Sequence, residues 1–146
     1  MTEHEEGVTD SPTGWVKRHV RRYLETDGEE GHEWRGAPTL LLTTRGRRSG
    51  TLRRTALIYG RDGEGRYVLV ASKGGAKEHP SWYLNLVEHP GVGLQVGAER
   101  FAARARAATA EERPRLWRLM ASIWPPYDDY RRKTEREIPV VIAERV

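Results

Sequence analysis

Short apolar segments separated by turn signals limit the folds that are open to this chain. Residues 39–44 and 55–59 each have the length and composition of a buried strand. Residues 61–65 contain two glycines and predict a hairpin turn, which leads into a third strand over residues 67–71. Because hairpins join antiparallel strands, this pattern favours an α+β fold over a doubly wound parallel sheet.

The second half of the chain is predicted to add three strands and three helices. The strands are expected over residues 92–96, 101–107 and 138–143. The helices are expected over residues 80–87, from a capping box at Thr109 and Glu112 to Trp124, and over residues 127–133. A sheet of this size must close or be covered to protect its edges. We therefore predict a small barrel of about six mainly antiparallel strands with helices packed outside.

The first 28 residues differ from the rest in composition. Residues 1–14 are acidic and almost without apolar side chains, so we expect a disordered tail. Residues 15–28 place apolar side chains at helical spacing opposite four basic ones, which predicts a basic amphipathic helix. Packing of this helix on its own domain is the favoured interpretation, and contact with a membrane surface or a partner is the alternative. Residues 29–146 then form one domain of ordinary size.

Missing residue types and motifs narrow the chemistry. The chain has no cysteine, which excludes disulfides, thiolate metal sites and cysteine nucleophiles. Its five histidines lack metal-ligand spacing, so no metal site is expected. The sequence also has no P-loop, no G-x-S-x-G elbow and no G-x-G-x-x-G fingerprint. Any chemistry would therefore have to come from a bound cofactor.

The location of the protein is predicted from two absences. No apolar run approaches the length that spans a bilayer, and the acidic first residues are unlike a signal peptide. We expect a cytoplasmic protein, with peripheral contact at the inner membrane face through residues 15–28 as the alternative.

Arginines are concentrated in one short region. The chain carries 25 Lys and Arg against 21 Asp and Glu, for a formal charge of +4 and a pI near 9.6. Residues 45–54 include five arginines and no acidic residue. Such a short cluster suits one compact anion better than nucleic acid, because nucleic acid needs many spaced phosphate contacts. We therefore expect no nucleic-acid partner.

Two glycine-rich loops follow predicted strands. Residues 46–50 combine two glycines, two arginines and a serine, with Arg53 just beyond. Residues 71–75 read Ala-Ser-Lys-Gly-Gly and precede the helix that carries Trp82 and Asn85 on one face. Backbone N–H groups, arginine, lysine and hydroxyl groups all donate to anions, so the pair of loops indicates an anion-binding site. The alternatives are a solvated turn, a flexible connection and a Trp82 that only fills the core.

Several segments, in the same order and at the same spacing, resemble one known family. They are residues 40–50 with Arg53, residues 71–75, residues 79–86 and positions from Glu112 to residue 141. Over residues 30–146 the chain is similar to the deazaflavin-dependent nitroreductases, which use coenzyme F420. This resemblance implies a split β-barrel and hydride transfer from reduced F420 to an electron-poor acceptor such as a quinone, an enone or a nitro compound. The implied partner is a small-molecule hydride acceptor, and the protein is expected to be a monomer or a homodimer.

The resemblance also assigns site residues by position. The implied coenzyme-binding residues are Arg47, Arg48, Ser49, Gly50, Arg53, Ala71, Ser72, Lys73, Gly74, Gly75, Trp82 and Asn85. The implied catalytic residues, on the substrate side, are Ser72, Tyr127 and Tyr130. Members that reduce bicyclic nitro prodrugs tend to have tyrosine at the positions of Ile58 and Trp124, so this activity is not implied here. An FMN-binding oxidoreductase of the same fold and a non-catalytic coenzyme-binding protein are the alternatives.

Overall fold

The computed structural model describes residues 8–10 and 14–146, which form one curled β-sheet with four helices against it. The helices are α1 (Gly14–Glu25), α2 (Ser81–Glu88), α3 (Arg113–Ile123) and α4 (Pro126–Lys133). In chain order, the strands are β1 (Val8–Asp10), β2 (Glu33–Trp34), β3 (Ala37–Arg45), β4 (Leu52–Ile58), β5 (Gly60–Arg61), β6 (Arg66–Val70), β7 (Gly91–Val96), β8 (Glu99–Ala107) and β9 (Val140–Arg145). The predicted α+β class is confirmed, because the long strands are the six expected ones and β1, β2 and β5 are short additions.

The strands follow one path through the sheet. Their order is β1-β4-β3-β7-β8-β9-β6-β5, and β2 pairs with β3 beside this path. Neighbours are antiparallel except for β1, which runs parallel to β4. The sheet curls until β4 approaches β6, and near this point the rings of Tyr59 and Tyr67 lie 5.7 Å apart. The result is a half-barrel with an inner and an outer face, as expected for a split β-barrel.

The inner face is filled by alternate residues of the strands. In β3, Leu40 and Leu42 point inward and are fully buried, whereas Leu41 points to the outer face. The other buried residues of the interior are Tyr67, Leu69, Leu86, Val92, Leu94, Ala103, Ala105, Val141 and Ala143. Leu86 comes from α2, and Trp82 of the same helix packs half-buried against this cluster. Helix α2 is therefore fixed to the interior by its apolar face.

Helices α3 and α4 cover the outer face of β6 and β9. Their shared core contains Val68, Val70, Leu116, Trp117, Met120, Tyr127, Ile138, Val140 and Ile142. The predicted capping box forms before α3, since Thr109 N–H donates to the Glu112 carboxylate at 2.9 Å and Glu112 N–H donates to Thr109 Oγ1 at 3.2 Å. Arg106 also donates to Glu112 at 2.7 Å, and this guanidinium, with Thr109, holds the pKa of Glu112 well below its usual range. The start of α3 is thereby attached to β8.

Helix α1 packs on the outer face of β3 and β4. Val16, Val20 and Tyr23 are buried there against Leu41. The Tyr23 hydroxyl accepts a hydrogen bond from Gly97 N–H at 2.6 Å, and burial raises the pKa of this phenol. Packing of this helix on its own domain is thus confirmed, and membrane contact has no support among the described residues. Among the described residues, no helix is long and apolar enough to cross a membrane.

Two N-terminal expectations need correction. Residues 8–10, placed in a disordered tail, form β1, because the edge of β4 offers backbone partners that do not depend on apolar side chains. Glu33 and Trp34, for which no strand was predicted, pair with residues 37–38 as β2. The rest of the predicted tail, apart from Gly14 at the start of α1, lies outside the described residues.

Candidate active site

The loop between β3 and β4 is closed by its own backbone. Gly46 N–H donates to the Thr51 carbonyl at 2.7 Å, and Gly50 N–H donates to the Gly46 carbonyl at 2.9 Å. The Ser49 hydroxyl accepts from Thr51 N–H at 3.1 Å. Gly50 has φ of +74°, and a Cβ there would meet open space. The loop is therefore a compact turn whose outer side is open.

Asn85 of α2 holds this loop from the inside. The side chain is 3% exposed, and its Oδ1 accepts from Arg47 N–H at 3.1 Å and from Arg47 Nη1 at 3.0 Å. Its Nδ2 donates to the buried Thr44 hydroxyl at 3.3 Å. With three of its hydrogen bonds made to the protein, Asn85 fixes the direction in which Arg47 enters the loop.

The five arginines of residues 45–54 do not form one cluster. Arg53 in β4 pairs with Thr44 in β3, so its side chain lies on the same face of the sheet as Thr44, the face against which Asn85 packs. Arg54 pairs with Thr43, and its side chain lies on the outer face. Arg54 is buried in an outer groove beside Arg100, and burial together with Arg100 lowers its pKa to about 10. Arg48 and Arg53 are exposed and make no ion pair or hydrogen bond with any described residue. The side chains offered at the open loop are therefore those of Arg47, Arg48 and Arg53.

The second loop contains a single 3-10 turn (Lys73–Gly75) in an unusual conformation. Lys73, Gly74 and Gly75 have φ of +47°, +63° and +83°. A Cβ on Gly74 would meet open space, whereas a Cβ on Gly75 would lie 2.9 Å from the Tyr130 carbonyl oxygen. The turn is thus packed directly against the backbone of α4 on one side and open on the other.

Arg136, in the segment before β9, binds the inner side of this turn. Its Nε donates to the Ala76 carbonyl at 2.8 Å, its Nη1 to the Ala71 carbonyl at 3.3 Å, and its Nη2 to the Ser72 carbonyl at 2.6 Å. Nη1 also lies 3.1 Å from Nδ1 of His79. One guanidinium therefore joins both ends of residues 71–76 to the residue that precedes Pro80 and α2.

The three residues expected on the substrate side differ in position. Ser72 is 7% exposed, and its hydroxyl makes no hydrogen bond with the described part of the chain. Tyr127 packs in the core beneath α3, and burial raises the pKa of its phenol. Tyr130 is half-buried, with its ring 6.1 Å from that of Tyr127 and its backbone against Gly75. Ser72 and Tyr130 therefore both lie at the second loop, while Tyr127 packs against Tyr130 from the core.

A family model described as F420H2-dependent quinone reductase matches residues 15–145. The chain belongs to this family. An F420H2-dependent quinone reductase of Mycobacterium tuberculosis is 38% identical over 144 residues, which cover 90% of this chain and 96% of that protein.

Solved structures agree with the family assignment. The structure of a domain-swapped dimer is 41% identical, with a TM-score of 0.70 and coverage of 92% of this chain and 100% of that chain. An F420-H2 dependent reductase is 42% identical, with a TM-score of 0.68 and coverage of 73% of this chain and 94% of that chain. The resemblance to deazaflavin-dependent reductases stated from the sequence is thereby confirmed.

The residues of this family member fit an anionic coenzyme. Arg48 and Arg53 are cations without a carboxylate partner among the described residues, and a Cβ would meet open space at both Gly50 and Gly74. Lys73 lies 3.8 Å from Glu78, both of them exposed, which leaves its ammonium accessible. Within the described part of the chain, no group of three or more His, Asp or Glu side chains could hold a metal ion.

Three contributors to the site were not assigned a role from the sequence. Thr44 and His79 lie inside the resembling segments, but no pattern distinguishes them from neighbours that only fill space. Arg136 stands among the basic residues 131–133 and 136, where a solvated charge is the usual interpretation. Its role is visible only in the structure, where the backbone carbonyls of Ala76 and Ser72 accept hydrogen bonds from the Arg136 guanidinium.

Proposed function

We propose that this protein reduces a quinone with the deazaflavin coenzyme F420H2. The main support is a pair of open loops rich in hydrogen-bond donors, which lie at either end of α2. Asn85 fixes one loop, and Arg136 with His79 fixes the other. Family membership supports both the coenzyme and the acceptor class.

When bound, the coenzyme supplies the hydride, and the chain positions it. Arg47, Arg48 and Arg53 with Ser49 and Gly50 would hold the coenzyme phosphate, because these groups donate hydrogen bonds and residues 45–54 include no acidic residue. Residues 71–75 would lie along the deazaflavin and its tail. Trp82 would add a contact from its half-buried face, and Asn85 would act through Arg47, to which it is hydrogen-bonded.

Two hydroxyl groups would face the acceptor. The hydroxyls of Ser72 and Tyr130 are without protein partners among the described residues, so they can donate to the oxygen on which negative charge develops. Because burial keeps the Tyr127 phenol protonated, it contributes no charge to the site. Catalysis then rests mainly on holding the two reactants in contact.

A coenzyme titration followed by turnover tests the proposal. The purified protein is titrated with oxidised F420 and separately with FMN, and binding is followed by coenzyme fluorescence. Oxidation of F420H2 is then measured with menadione as acceptor, with a protein-free reaction as control. Tight binding of F420 with turnover supports the proposal, binding without turnover indicates a coenzyme-binding protein, and preference for FMN refutes the coenzyme assignment.

The active form is proposed to be a homodimer. The support is the 41% identical structure of a domain-swapped dimer, which this chain covers completely. Light scattering on a size-exclusion column, with and without F420, is expected to give twice the mass of one 16.7 kDa chain. A mass of one chain across a tenfold range of loaded concentration would refute this.

A further inference from the structure

Arg136 has the contacts of a residue that shapes a binding loop, and not those of an anion ligand. Among the described residues, its side chain makes no ion pair with a carboxylate. Its three nitrogens donate instead to the carbonyls of Ala71, Ser72 and Ala76 and to Nδ1 of His79. A guanidinium has five N–H donors, and four are used here. A coenzyme phosphate would therefore find most of this arginine's donors already occupied.

The contact with His79 constrains the protonation of that histidine. Arginine only donates hydrogen bonds, so Nδ1 of His79 must be the acceptor and the neutral ring must carry its proton on Nε2. Protonation of His79 would place a second N–H donor against Arg136 Nη1 at 3.1 Å and two positive charges side by side. The contact exists only while His79 is neutral.

The surroundings of His79 favour this neutral form. Its ring lies 5.0 Å from the ring of Tyr83 in α2, with the two planes tilted by 55°, and Arg136 faces it from the segment before β9. The neighbouring carboxylate, Glu78, is exposed and lies 3.8 Å from the Lys73 ammonium. Burial, followed by the charge of Arg136, lowers the pKa of His79 below its usual value.

We propose that Arg136 is a positioning residue, which holds residues 71–76 in the shape that receives the coenzyme, and that His79 must be neutral for it to do so. The inference rests on the proposed function for its ligand, but the shape of the loop is testable without any coenzyme. Three carbonyl groups turned toward one guanidinium leave the opposite side of the turn, with Lys73 and Gly74, to face the ligand.

The first test measures the loop alone. Hydrogen–deuterium exchange is followed at the amides of Gly75 and Ala76, which donate to the Ser72 and Lys73 carbonyls at 2.9 and 3.2 Å. Arg136→Lys keeps the positive charge but loses the planar guanidinium that donates to three carbonyls at once. Amide exchange is therefore expected to be about tenfold faster than in the parent. Arg132→Lys, on the exposed face of α4, is the matched control and is expected to exchange like the parent. Equal exchange in both variants would overturn the proposal.

The second test measures the coenzyme. Arg136→Lys is expected to raise the Kd for F420 about tenfold, the cost of roughly one charge-assisted hydrogen bond, with a smaller change in kcat at saturating coenzyme. Unchanged melting temperature separates this effect from general unfolding. If the parent itself fails to bind F420, the proposed function fails, and the exchange experiment still decides the role of Arg136.

The third test uses pH to separate positioning from a purely structural role. Since the neutral ring is required, the Kd of the parent is expected to rise as pH falls through the pKa of His79. His79→Gln supplies a neutral acceptor at every pH and is expected to remove this dependence, whereas His89→Gln, at the exposed end of α2, should retain it. A pH dependence that persists in His79→Gln would show that another group titrates and would overturn the role of His79.

Discussion

The two loops of the site are held by opposite chemistry. In the β3–β4 loop a side-chain oxygen of Asn85 accepts from the backbone N–H and the guanidinium of Arg47. In the 71–76 loop the guanidinium of Arg136 donates to three backbone carbonyls. The first arrangement fixes the backbone and the guanidinium of Arg47. The second turns three carbonyl oxygens away from the side of the loop that would face an anion.

The two loops therefore contribute to coenzyme binding in different ways. The β3–β4 loop offers charged side chains on a compact turn, so its contribution to binding is electrostatic. The 71–76 loop offers a backbone shape, with three successive residues at positive φ packed against α4. Charge deletions should therefore affect the first loop most, and small steric changes should affect the second.

The largest effect is expected from removing two exposed charges, Arg48 in the first loop and Arg53 at the start of β4. Arg48→Ala with Arg53→Ala deletes two donors to phosphate, which is expected to cost about 3 kcal/mol of binding free energy, or about a hundredfold in the Kd for F420. The melting temperature should stay the same, because both side chains are exposed. Arg18→Ala with Arg21→Ala on the exposed face of α1 removes the same charge and is the control. Equal losses in the two double variants would mean that only the total charge matters.

The next effect concerns the backbone of the second loop. Gly75→Ala combines φ of +83° with a Cβ placed 2.9 Å from the Tyr130 carbonyl oxygen, and is expected to cost about 2–3 kcal/mol of stability. Gly74→Ala shares the positive φ but meets open space, so a cost of about 1 kcal/mol is expected. Thermal and urea unfolding of the two variants measure this directly. A loss at Gly74 as large as that at Gly75 would contradict close packing on α4.

A smaller effect is expected when the support of the first loop is removed. Asn85→Ala leaves the Arg47 N–H and the buried Thr44 hydroxyl without this partner, which is expected to cost about 1–3 kcal/mol of stability and weaken F420 binding about tenfold.

Asn85→Asp sharpens the interpretation of this result. The carboxylate keeps the Oδ1 acceptor for Arg47, so the melting temperature should lie closer to that of the parent than in Asn85→Ala. Its negative charge next to the arginines should nevertheless weaken phosphate binding. Parent-like affinity in both variants would show that Asn85 does not shape the coenzyme site.

The sequence predicted the fold better than it predicted the supports of the site. The short apolar segments at residues 39–44 and 55–59 and the hairpin at residues 61–65 indicate an antiparallel sheet from local pattern alone. Strand β1 could not be predicted, because its pairing with β4 depends on an available edge and not on its own side chains.

Within the site, sequence reasoning named residues of the two open loops and missed Thr44, His79 and Arg136, which support those loops. Resemblance places Arg47, Arg48 and residues 71–75 together, and the structure puts their loops at either end of α2. The separation of Arg53 from Arg54 requires the register with β3, which a run of basic residues does not show. Arg136 is distant in sequence from the carbonyls it binds, so no local pattern could identify its role.

The smallest expected effect distinguishes the two tyrosines of α4 on the acceptor side. Tyr130 is half-buried and has a hydroxyl without a partner among the described residues, whereas Tyr127 is buried beside Trp117, with ring centroids 6.4 Å apart. Tyr130→Phe keeps the ring but removes a donor, so kcat/KM for menadione is expected to fall about fivefold to tenfold while the Kd for F420 stays the same. Tyr127→Phe is the matched variant, and a change of less than about twofold is expected because its phenol lies in the core. A larger loss in Tyr127→Phe than in Tyr130→Phe would place the acceptor against the α3–α4 core, and parent-like rates in both would leave Ser72 as the donor to test next.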